Sequence, residues 1–386
     1  MSSHVKSLDV SIIGSGITGL STAYHLSLLG VKNIKIFTSD LTQSATLGSA
    51  GILTGGTWDN YTRLTHAFGD DLAKELWSFG DRAYDSTVSF CVQENIEHSS
   101  KGRLRLLVKQ DEWDEAKKAV QQLQVAGFGS RIVERSAWGN ALSSRVLAVQ
   151  DDGPRGAFAD VGKLIDALLQ KFRSKIVVEP VEQLIPSSQG MEIKTNRTLT
   201  RSEMVVVATH LDIGRLVPEL APALISVADQ WSSWSWSDRA PRCLEPGVVF
   251  SAHHGYEWGV VPRHGKLHMG GGRFLRPLAG IEATVATVEP KIEAFTQNQA
   301  KATFDGLNDL KKVASSAGLD CRPCDELPII GPMFGESRIL VGTGYMGLGL
   351  SWGFLAGKCL ANIVANGKCN MLPNRLTPAR LRSLEQ

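Results

Sequence analysis

The stretch LDVSIIGSGITGLSTAYHLSLLGVKNIKIFTSD, from Leu8 to Asp40, predicts a strand, a tight turn, a helix and a second strand. Val10 to Ile13 form a short apolar run that suits a buried parallel strand. Apolar residues then recur at helical spacing from Leu20 to Leu28, and Ile34 to Phe37 form a second apolar run. This order is typical of the first unit of a parallel α/β sheet.

Three glycines lie between the first predicted strand and its helix. Gly14, Gly16 and Gly19 form the pattern G-x-G-x-x-G. The first glycine permits a tight turn, the second lets the backbone approach a pyrophosphate, and the third lets the helix pack against the strand. Free N–H groups and the helix dipole favour phosphate here, so Ile17 and Thr18 are expected beside it. Because the pattern follows a strand and opens a helix, it predicts a dinucleotide-binding domain.

The acidic residue expected at the end of the second strand is absent. Such an acid binds the adenosine ribose, but this strand ends at Thr38, followed by Ser39 and Asp40. Either Asp40 reaches back to the ribose, or the Thr38 and Ser39 hydroxyls replace the carboxylate. A hydroxyl pair also suits a phosphorylated nicotinamide cofactor, although no nearby arginine supports that cofactor. The sequence leaves the ribose contact open.

Length and composition describe an ordinary globular chain of two domains. The chain has 386 residues, of which 43% are hydrophobic and 21% charged, with a net charge of +2. This balance does not suggest binding to nucleic acid or to an anionic membrane surface. No apolar run reaches about 18 residues, and the first ten residues lack the apolar core of a signal peptide. The six scattered cysteines favour reduced thiols, so a cytoplasmic location is expected.

The rest of the chain does not continue the regular alternation of strands and helices typical of nicotinamide dehydrogenases. The periodicity predicts an interrupted nucleotide domain with a second domain inserted twice, and it favours FAD over NAD. A segment rich in tryptophan and short strands spans Gln230 to Gly272. The remaining predicted elements are helices over roughly Asp70–Gln93, Glu112–Ala126 and Val161–Phe172, a strand over Leu104–Val108, and two strands in IVVEPVEQL and EMVVVATH that return to the first sheet.

Six motifs occur along the chain in the order GSGITGL, SATLGSAGIL, VVVATHLDIGRL, VVPRHGKLHMGGG, CRPCDELPIIGP and ILVGTGYMGLGLSWGFLAGKCLANIV. In order and spacing, and over nearly the whole length of the chain, they resemble the D-amino-acid oxidase, glycine oxidase and sarcosine oxidase family of flavoproteins. The resemblance implies an α/β fold with a discontinuous, Rossmann-like FAD-binding domain and an inserted α+β substrate domain with a mainly antiparallel sheet. We expect the FAD-binding domain over residues 1–88, 151–226 and 320–386, and the substrate domain over 89–150 and 227–319.

The resemblance also implies how FAD is bound, without a covalent bond. The glycine loop VGTGYMGLGLSWG, from Val341 to Gly353, is expected against the flavin ring, with backbone N–H groups facing its pyrimidine edge. His210 stands where the family has a glycine, so the loop after Ala208 is expected to differ locally. The expected FAD contacts are Gly14, Gly16, Ile17, Thr18, Gly19, Thr38, Asp40, Ser44, Gly51, Val181, Ala208, Gly344, Gly347, Leu348 and Gly349.

On the substrate side, Arg322 matches the family's carboxylate-binding arginine. A guanidinium holds a carboxylate in one plane through two parallel N–H bonds. The spacer after this arginine is about two residues shorter than the family pattern, and the alternative is a structural arginine paired with Asp325 or Glu326. Further candidates for substrate contact are Tyr256, Trp258 and Tyr345.

The pair Cys321-x-x-Cys324 has three interpretations: a redox pair, a covalent flavin tether or two ordinary thiols. Neither cysteine falls at the family's tether position, and the setting lacks the strand-to-helix context of a thioredoxin motif. Ordinary thiols are favoured. The sequence contains no H-E-x-x-H, clustered zinc ligands or G-x-S-x-G, so neither a metal site nor acyl transfer is expected.

The implied reaction is oxidation of an amine or amino acid at its C–N bond. Hydride passes from the neutral amine substrate to flavin N5, and the C–H step requires no side-chain base. The resulting imine hydrolyses, and oxygen or an electron carrier reoxidises the flavin. The alternatives are oxidation of a 2-hydroxy acid and a non-catalytic or accessory FAD-fold subunit. An aromatic-hydroxylating flavoprotein is disfavoured because ILVGTGYMGLG lacks an aspartate. The expected partner is a small molecule, and the oligomeric state stays open.

Overall fold

The structure is a computed structural model that describes residues 9–237 and 243–385. The helices are α1 Ile17–Leu28, α2 Tyr61–Phe68, α3 Asp70–Gln93, α4 Gln110–Ala126, α5 Val161–Phe172, α6 Ile213–Leu216, α7 Pro290–Thr303 and α8 Gly349–Asn366. The strands are β1 Val10–Ile13, β2 Ile34–Thr38, β3 Ile52–Thr54, β4 His98–Ser100, β5 Gly102–Leu107, β6 Arg131–Glu134, β7 Ala148–Asp151, β8 Gly156–Ala159, β9 Ile176–Val178, β10 Val181–Ser187, β11 Gly190–Thr195, β12 Leu199–Ser202, β13 Met204–Val207, β14 Leu224–Ser235, β15 Val248–Ala252, β16 Glu257–Val260, β17 Lys266–Gly271, β18 Lys311–Pro323, β19 Ile329–Pro332 and β20 Ile339–Thr343.

The chain forms two compact units, each assembled from separate segments. The first unit contains Met1–Leu47, Val161–Ser226 and Asp320–Gln386, and the second contains Gly48–Asp160 and Val227–Leu319. Residues 48–88 and 151–160, which the sequence analysis placed in the FAD-binding domain, therefore lie in the second unit.

A mixed, mostly parallel sheet organises the first unit. Its strand order is β19-β20-β13-β1-β2-β9, and β19 runs antiparallel to β20. Strand β1 pairs in parallel with β2 and β13, so that Ile12 lies opposite Ile36 and Val206. The predicted return of the chain to the first sheet is confirmed for β9 and β13. Strand β10, predicted as part of that return, instead forms a separate antiparallel sheet with β11 and β12.

Helix α1 packs closely against helix α8 in the same unit. A Cβ atom added at Gly357 of α8 would lie 2.7 Å from the Ser21 Cβ and from the Thr18 carbonyl oxygen of α1. The Ser21 hydroxyl donates a hydrogen bond to the Phe354 carbonyl oxygen at 2.6 Å. The absence of a side chain at Gly357 thus lets the two helices approach at backbone distance.

The second unit is built around a mainly antiparallel sheet, as the resemblance implied. Its strand order is β18-β14-β17-β16-β15-β5-β7-β6, in which β15 and β5 are parallel neighbours. The core of this unit includes Leu104, Phe250 and Phe304, and the two phenylalanine rings meet edge to face with centroids 4.9 Å apart. A smaller sheet has the order β3-β8-β4.

Backbone contacts explain why residues 48–88 belong to the second unit. Strand β3 pairs antiparallel with β8. The buried guanidinium of Arg103 donates to the carbonyl oxygens of Gly55 at 2.8 Å and Thr57 at 2.9 Å. A Cβ atom at Gly80 of α3 would lie 1.7 Å from the Gly56 carbonyl oxygen. These long-range contacts join α3 and the turn at Gly55–Gly56 to the sheets of the second unit.

No helix among the described residues, 9–237 and 243–385, is long and apolar enough to cross a lipid bilayer.

The contact at Gly80 predicts that a Gly→Ala change at this helix position lowers the free energy of unfolding, opposite to the usual effect. A Gly→Ala change inside a helix normally stabilises by up to about 1 kcal/mol. Gly80→Ala should instead destabilise the protein by about 1–3 kcal/mol, because the new methyl group meets the Gly56 backbone. Thermal and urea unfolding measure the change. The matched control is Gly129→Ala, where a Cβ atom meets nothing within 4 Å; equal midpoints for the two variants would contradict the predicted contact.

Candidate functional site

Two of the three glycines after β1 are required by the protein's own backbone. Gly14 has a φ of +111°, and a Cβ atom there would lie 2.4 Å from the Ala208 carbonyl oxygen. A Cβ atom at Gly19 would lie 1.9 Å from the Gly14 carbonyl oxygen. The Ala208 N–H also donates to the Ile13 carbonyl oxygen at 2.8 Å. Gly14 and Gly19 therefore allow the turn, α1 and the end of β13 to pack together.

Gly16 has a different environment. It caps α1 with φ −74° and ψ −178° and without a side-chain hydrogen bond. A Cβ atom there would meet only the Thr46 Oγ1, at an ordinary 3.5 Å. Neither backbone strain nor packing among the described residues requires glycine here, which fits the close approach of a phosphate group to the start of α1.

The sequence analysis did not identify Thr46, whose hydroxyl accepts a hydrogen bond from the Ile17 N–H at 3.2 Å. The two residues are 29 positions apart, and no local pattern links them. Ser44, predicted as a cofactor contact, accepts from the Leu47 N–H at 3.1 Å within the same loop.

At the end of β2, Thr38 occupies the position expected for the ribose-binding acid. Its side chain is buried, its hydroxyl donates to the Asp40 carbonyl oxygen at 2.8 Å, and the Ser15 hydroxyl lies 2.8 Å away. The Asp40 carboxylate instead accepts from the Thr42 N–H at 2.6 Å and from the Thr42 hydroxyl at 2.7 Å. These hydrogen bonds lower the pKa of Asp40 and hold its carboxylate toward Thr42.

The other predicted contacts in the early and middle chain fall in both units. Val181 is buried at the start of β10, and its carbonyl oxygen accepts from Arg215 at 2.9 Å. Gly51 belongs to the second unit, where a Cβ atom would lie 2.6 Å from both the Ala159 carbonyl oxygen and the Phe158 ring. The glycine at position 51 is thus explained by packing within its own unit.

His210 has a left-handed backbone conformation, which glycine adopts more readily than other residues. Its φ is +57°, in the left-handed region, and its carbonyl oxygen accepts from the Thr343 hydroxyl at 3.1 Å. We expected the histidine to change this loop because a side chain disfavours that conformation. Tertiary contacts such as this hydrogen bond hold the histidine in that region at modest strain, and a local difference from the family's loop stays a prediction.

The late glycine loop connects β20 to α8. Gly344, with φ +77°, packs against Pro323, because a Cβ atom there would lie 2.4 Å from the proline ring. Gly347 has φ +83° and is exposed, and an added Cβ atom would have a single neighbour within 4 Å, the Asp320 Oδ2 at 4.0 Å. At Gly349 the nearest atom is 3.8 Å away, in the Tyr345 ring. Leu348 is the N-cap of α8 and lies half-buried between these two glycines.

Tyr345 is buried between this loop and α1. Its hydroxyl lies 3.0 Å from the Thr18 hydroxyl, and burial raises its pKa well above the ordinary value. This contact joins the start of α1 to the glycine loop. We therefore propose that Tyr345 supports the loop, in place of the substrate contact expected from the sequence.

Arg322 precedes Pro323, which packs against Gly344 of the glycine loop, and pairs with a residue that the sequence analysis did not consider. Its Nε donates to the Asp320 Oδ2 at 3.0 Å, and the two side chains are 28% and 19% exposed. Asp325 instead pairs with Arg380, whose Nε donates to the Asp325 Oδ2 at 2.6 Å. The pairing of Arg322 with Asp325 that we considered is therefore wrong, and the arginine's partner is two residues upstream.

The two cysteines flanking Arg322 lie in different environments. Cys321 is fully buried, its sulfur lies 3.5 Å from the Thr343 hydroxyl oxygen, and burial raises its pKa to about 12. Cys324 is exposed. A buried thiol with a raised pKa is a poor nucleophile, which supports the interpretation as ordinary thiols.

Tyr256 and Trp258 lie in the second unit. Tyr256 is 51% exposed and meets Phe274 edge to face, with ring centroids 6.2 Å apart. Trp258 is half-buried on β16 and covers Gly270 of β17, where a Cβ atom would lie 2.2 Å from the indole ring. Trp258 thus packs across the sheet, whereas Tyr256 has an open ring face.

Comparison with protein families identifies the chain. The family model DAO, described as FAD dependent oxidoreductase, matches residues 9–363. The chain belongs to this family. It is thus an FAD-dependent oxidoreductase, and non-covalent binding of FAD is typical of the family. Gly16, Gly347 and Gly349, which leave open space, fit the close approach of such a cofactor to the backbone.

Known proteins share the fold of this family member at low sequence identity. Glycine oxidase from Geobacillus kaustophilus superposes with a TM-score of 0.79 and 17% identity over 97% of this chain and 98% of that chain. L-proline dehydrogenase from P. horikoshii gives a TM-score of 0.78 and 16% identity over 98% of each chain. The Bacillus subtilis (strain 168) protein YhfW, provisionally named a Rieske 2Fe-2S iron-sulfur protein, is 23% identical over 96% of this chain and 71% of its own length.

Within residues 9–237 and 243–385 of this oxidoreductase, no group of three or more His, Cys, Asp or Glu side chains is arranged to hold a metal ion.

The open space at Gly16 allows a clean test of cofactor binding. The backbone angles of Gly16 are allowed for valine, so Gly16→Val should fold normally. The added side chain should raise the Kd for FAD by roughly ten- to hundredfold, because it occupies the space left for phosphate. Titration of apoprotein with FAD, followed by flavin fluorescence, measures the Kd. Gly318→Val is the matched control at an open position outside this turn. Unchanged FAD affinity in a folded Gly16→Val protein would contradict the placement of the FAD phosphates at Gly16.

The end of β2 yields a second prediction about FAD. We expect Thr38→Val to weaken FAD binding by about 1–1.5 kcal/mol, the contribution of one hydrogen bond, and Asp40→Ala to weaken it less. The reason is that the Asp40 carboxylate is held toward Thr42, whereas the Thr38 hydroxyl lies at the strand end and, although its hydrogen is donated to the Asp40 carbonyl oxygen, its oxygen can still accept a hydrogen bond. Titration of the apoprotein with FAD measures both changes. A larger loss of FAD affinity in Asp40→Ala than in Thr38→Val would indicate that Asp40 contacts the ribose.

Proposed function

We propose that this protein oxidises the C–N bond of an amino acid with FAD as its cofactor. The observation that carries the proposal is the pairing of Arg322 with Asp320, whose Oδ2 lies 4.0 Å from the Cβ position of the exposed Gly347 in the same unit. Two proteins of the same fold, a glycine oxidase and an L-proline dehydrogenase, are named for amino-acid substrates, which supports the same class here.

Arg322 supplies the recognition of a carboxylate in this proposal. Its Nε is bound to Asp320, and no hydrogen bond joins Nη1 or Nη2 to any residue in the described part of the chain. These two nitrogens can form the parallel N–H bonds that hold a carboxylate in one plane. An amino acid held there is fixed in position and orientation, which contributes to the rate by proximity.

FAD, when bound, accepts the hydride removed from the substrate carbon. The protein's part is to bind and orient the amino acid, and the proposal assigns no side-chain base to the C–H step. The imine product would hydrolyse in water. The proposal includes two alternatives for reoxidation of the flavin, by oxygen or by an electron carrier. It also includes a cytoplasmic location, which the six free cysteines support.

A matched substrate panel tests the proposed function. Anaerobic reduction of the flavin, followed by loss of its visible absorbance, is compared for glycine and methylamine, for L-proline and pyrrolidine, and for glycolate. An amino acid should reduce the flavin faster than its decarboxylated partner. Reduction by glycolate alone would favour 2-hydroxy-acid oxidation, and a flavin-bound protein that no amine or acid reduces would favour an accessory subunit.

Arg322→Ala should weaken binding of the best amino acid by about 1.5–3 kcal/mol, roughly ten- to hundredfold in Kd, because a charge-assisted contact is lost. The reduction rate at saturation should also fall, since the α-carbon is less well placed. Arg322→Lys should restore part of the loss, because an ammonium lacks the planar fork. Stopped-flow reduction against substrate concentration separates the two effects.

The matched control for this prediction is Arg201→Ala. Arg201 lies on β12 of the same unit, with its side chain 54% exposed and paired with Glu192. Its removal should leave both constants unchanged. If Arg322→Ala and the unaltered protein reduce equally well with their best amino acid, Arg322 is a structural residue.

A further inference from the structure

Asp320 and Arg322 share one face of β18. Residues two positions apart in a strand point to the same side, and the intervening Cys321 is buried on the other side. Pro323, the next buried residue, packs against Gly344 of the glycine loop. The strand backbone on either side of Arg322 is therefore held in place, and the Asp320–Arg322 pair is directed away from the core of the unit.

The pair borders the open side of the glycine loop. The Asp320 Oδ2 lies 4.0 Å from the Cβ position of Gly347 and, apart from Gly347 and its two chain neighbours, is the only heavy atom of the described residues within that distance. Both side chains are more than two-thirds buried yet remain accessible, at 28% and 19% exposure. Partly desolvated charges interact more strongly with a ligand than fully solvated ones.

The Asp320–Arg322 pair leaves both a negatively charged acceptor and positively charged donors without hydrogen bonds to the described residues. The contact between Arg322 Nε and Asp320 Oδ2 uses one nitrogen and one oxygen. Within residues 9–237 and 243–385, no hydrogen bond reaches the other Asp320 oxygen or the two terminal guanidinium nitrogens. A carboxylate oxygen that can accept and two nitrogens that can donate thus lie side by side.

We propose that Asp320 is a specificity-determining residue that makes this site selective for the zwitterion of an α-amino acid over a simple carboxylate. Arg322 binds the carboxylate and Asp320 binds the neighbouring ammonium group, which gives up one proton to solvent before hydride leaves the α-carbon. An α-amino acid carries its two charges on groups attached to one carbon, which matches an adjacent donor and acceptor. The inference rests on the proposed function, since it takes the substrate to be an amino acid.

Charge balance gives the physical reason. An isolated arginine attracts every anion, including carboxylates without an amine. The Asp320–Arg322 pair has no net charge, so a monoanion gains little from it, whereas a zwitterion forms one favourable contact with each partner. The aspartate discriminates by repelling the wrong ligand as well as by binding the right one.

The test compares two ligands on the intact FAD-loaded protein. Acetate is the carboxylate probe, and its Kd follows from perturbation of the flavin absorbance. The amino acid is the one that reduces the flavin best in the panel above, and its Kd follows from the concentration dependence of anaerobic reduction. Asp320→Asn keeps a hydrogen-bond acceptor for Arg322 Nε but removes the charge.

In Asp320→Asn, the Kd for acetate should fall at least tenfold, while the Kd for the amino acid should stay the same or rise. The ratio of acetate Kd to amino-acid Kd should therefore fall at least tenfold. Asp320→Glu keeps the charge and should keep the ratio within about threefold. It also shows whether a substitution at this position disturbs folding.

Two results would overturn the inference and leave the proposed function standing. In the first, both Kd values fall by the same factor in Asp320→Asn, which would mean that Asp320 only reduces the attraction of Arg322 for any carboxylate. In the second, neither Kd changes. If no amino acid reduces the flavin, the proposed function fails separately. The Kd values of glycine and acetate are then both measured by flavin perturbation, and an unchanged ratio in Asp320→Asn overturns the inference there too.

Discussion

The close packing of α1 against α8 is the contact on which both glycine loops depend. Helix α1 begins immediately after Gly16, and α8 begins immediately after Leu348. Gly353 and Gly357 let α8 approach α1 so closely that added Cβ atoms would lie 2.8 and 2.7 Å from α1 atoms. Two segments more than 300 residues apart in the chain are thereby brought together, and the open positions at both helix starts follow from this one contact.

Hydroxyl groups make this interface specific. Ser21 donates to the Phe354 carbonyl oxygen, and the Thr18 and Tyr345 hydroxyls lie 3.0 Å apart. His25 on the same helix is buried beside the Ser21 carbonyl oxygen, and burial lowers its pKa to about 4, so its ring is uncharged at neutral pH. Polar groups that are paired inside an interface fix its alignment, because any shift would leave them buried without partners.

The glycines of this protein fall into two physical groups. At Gly14, Gly19 and Gly344, an added side chain would collide with the protein itself, so the fold requires glycine. At Gly16, Gly347 and Gly349, the nearest atoms are at least 3.5 Å away, so packing does not require it. The second group is the one that suits a closely approaching cofactor, and it includes the position that borders Asp320 and Arg322.

The sequence by itself determined the strand–turn–helix–strand start, the long helices and the family, because hydrophobic period, glycine spacing and motif order are local or ordered along the chain. The helix over Asp70–Gln93 ends where its periodicity ends. Only the tertiary structure decided the unit to which residues 48–88 belong, the left-handed backbone of His210 and the partner of Arg322. Each of these depends on contacts between distant segments or on competition among several nearby charges. A pattern of residue types does not show whether Asp320, Asp325 or Glu326 pairs with Arg322. In the structure, strand alternation places Asp320 on the same side as Arg322, with Cys321 buried between them, and Asp325 is already paired with Arg380.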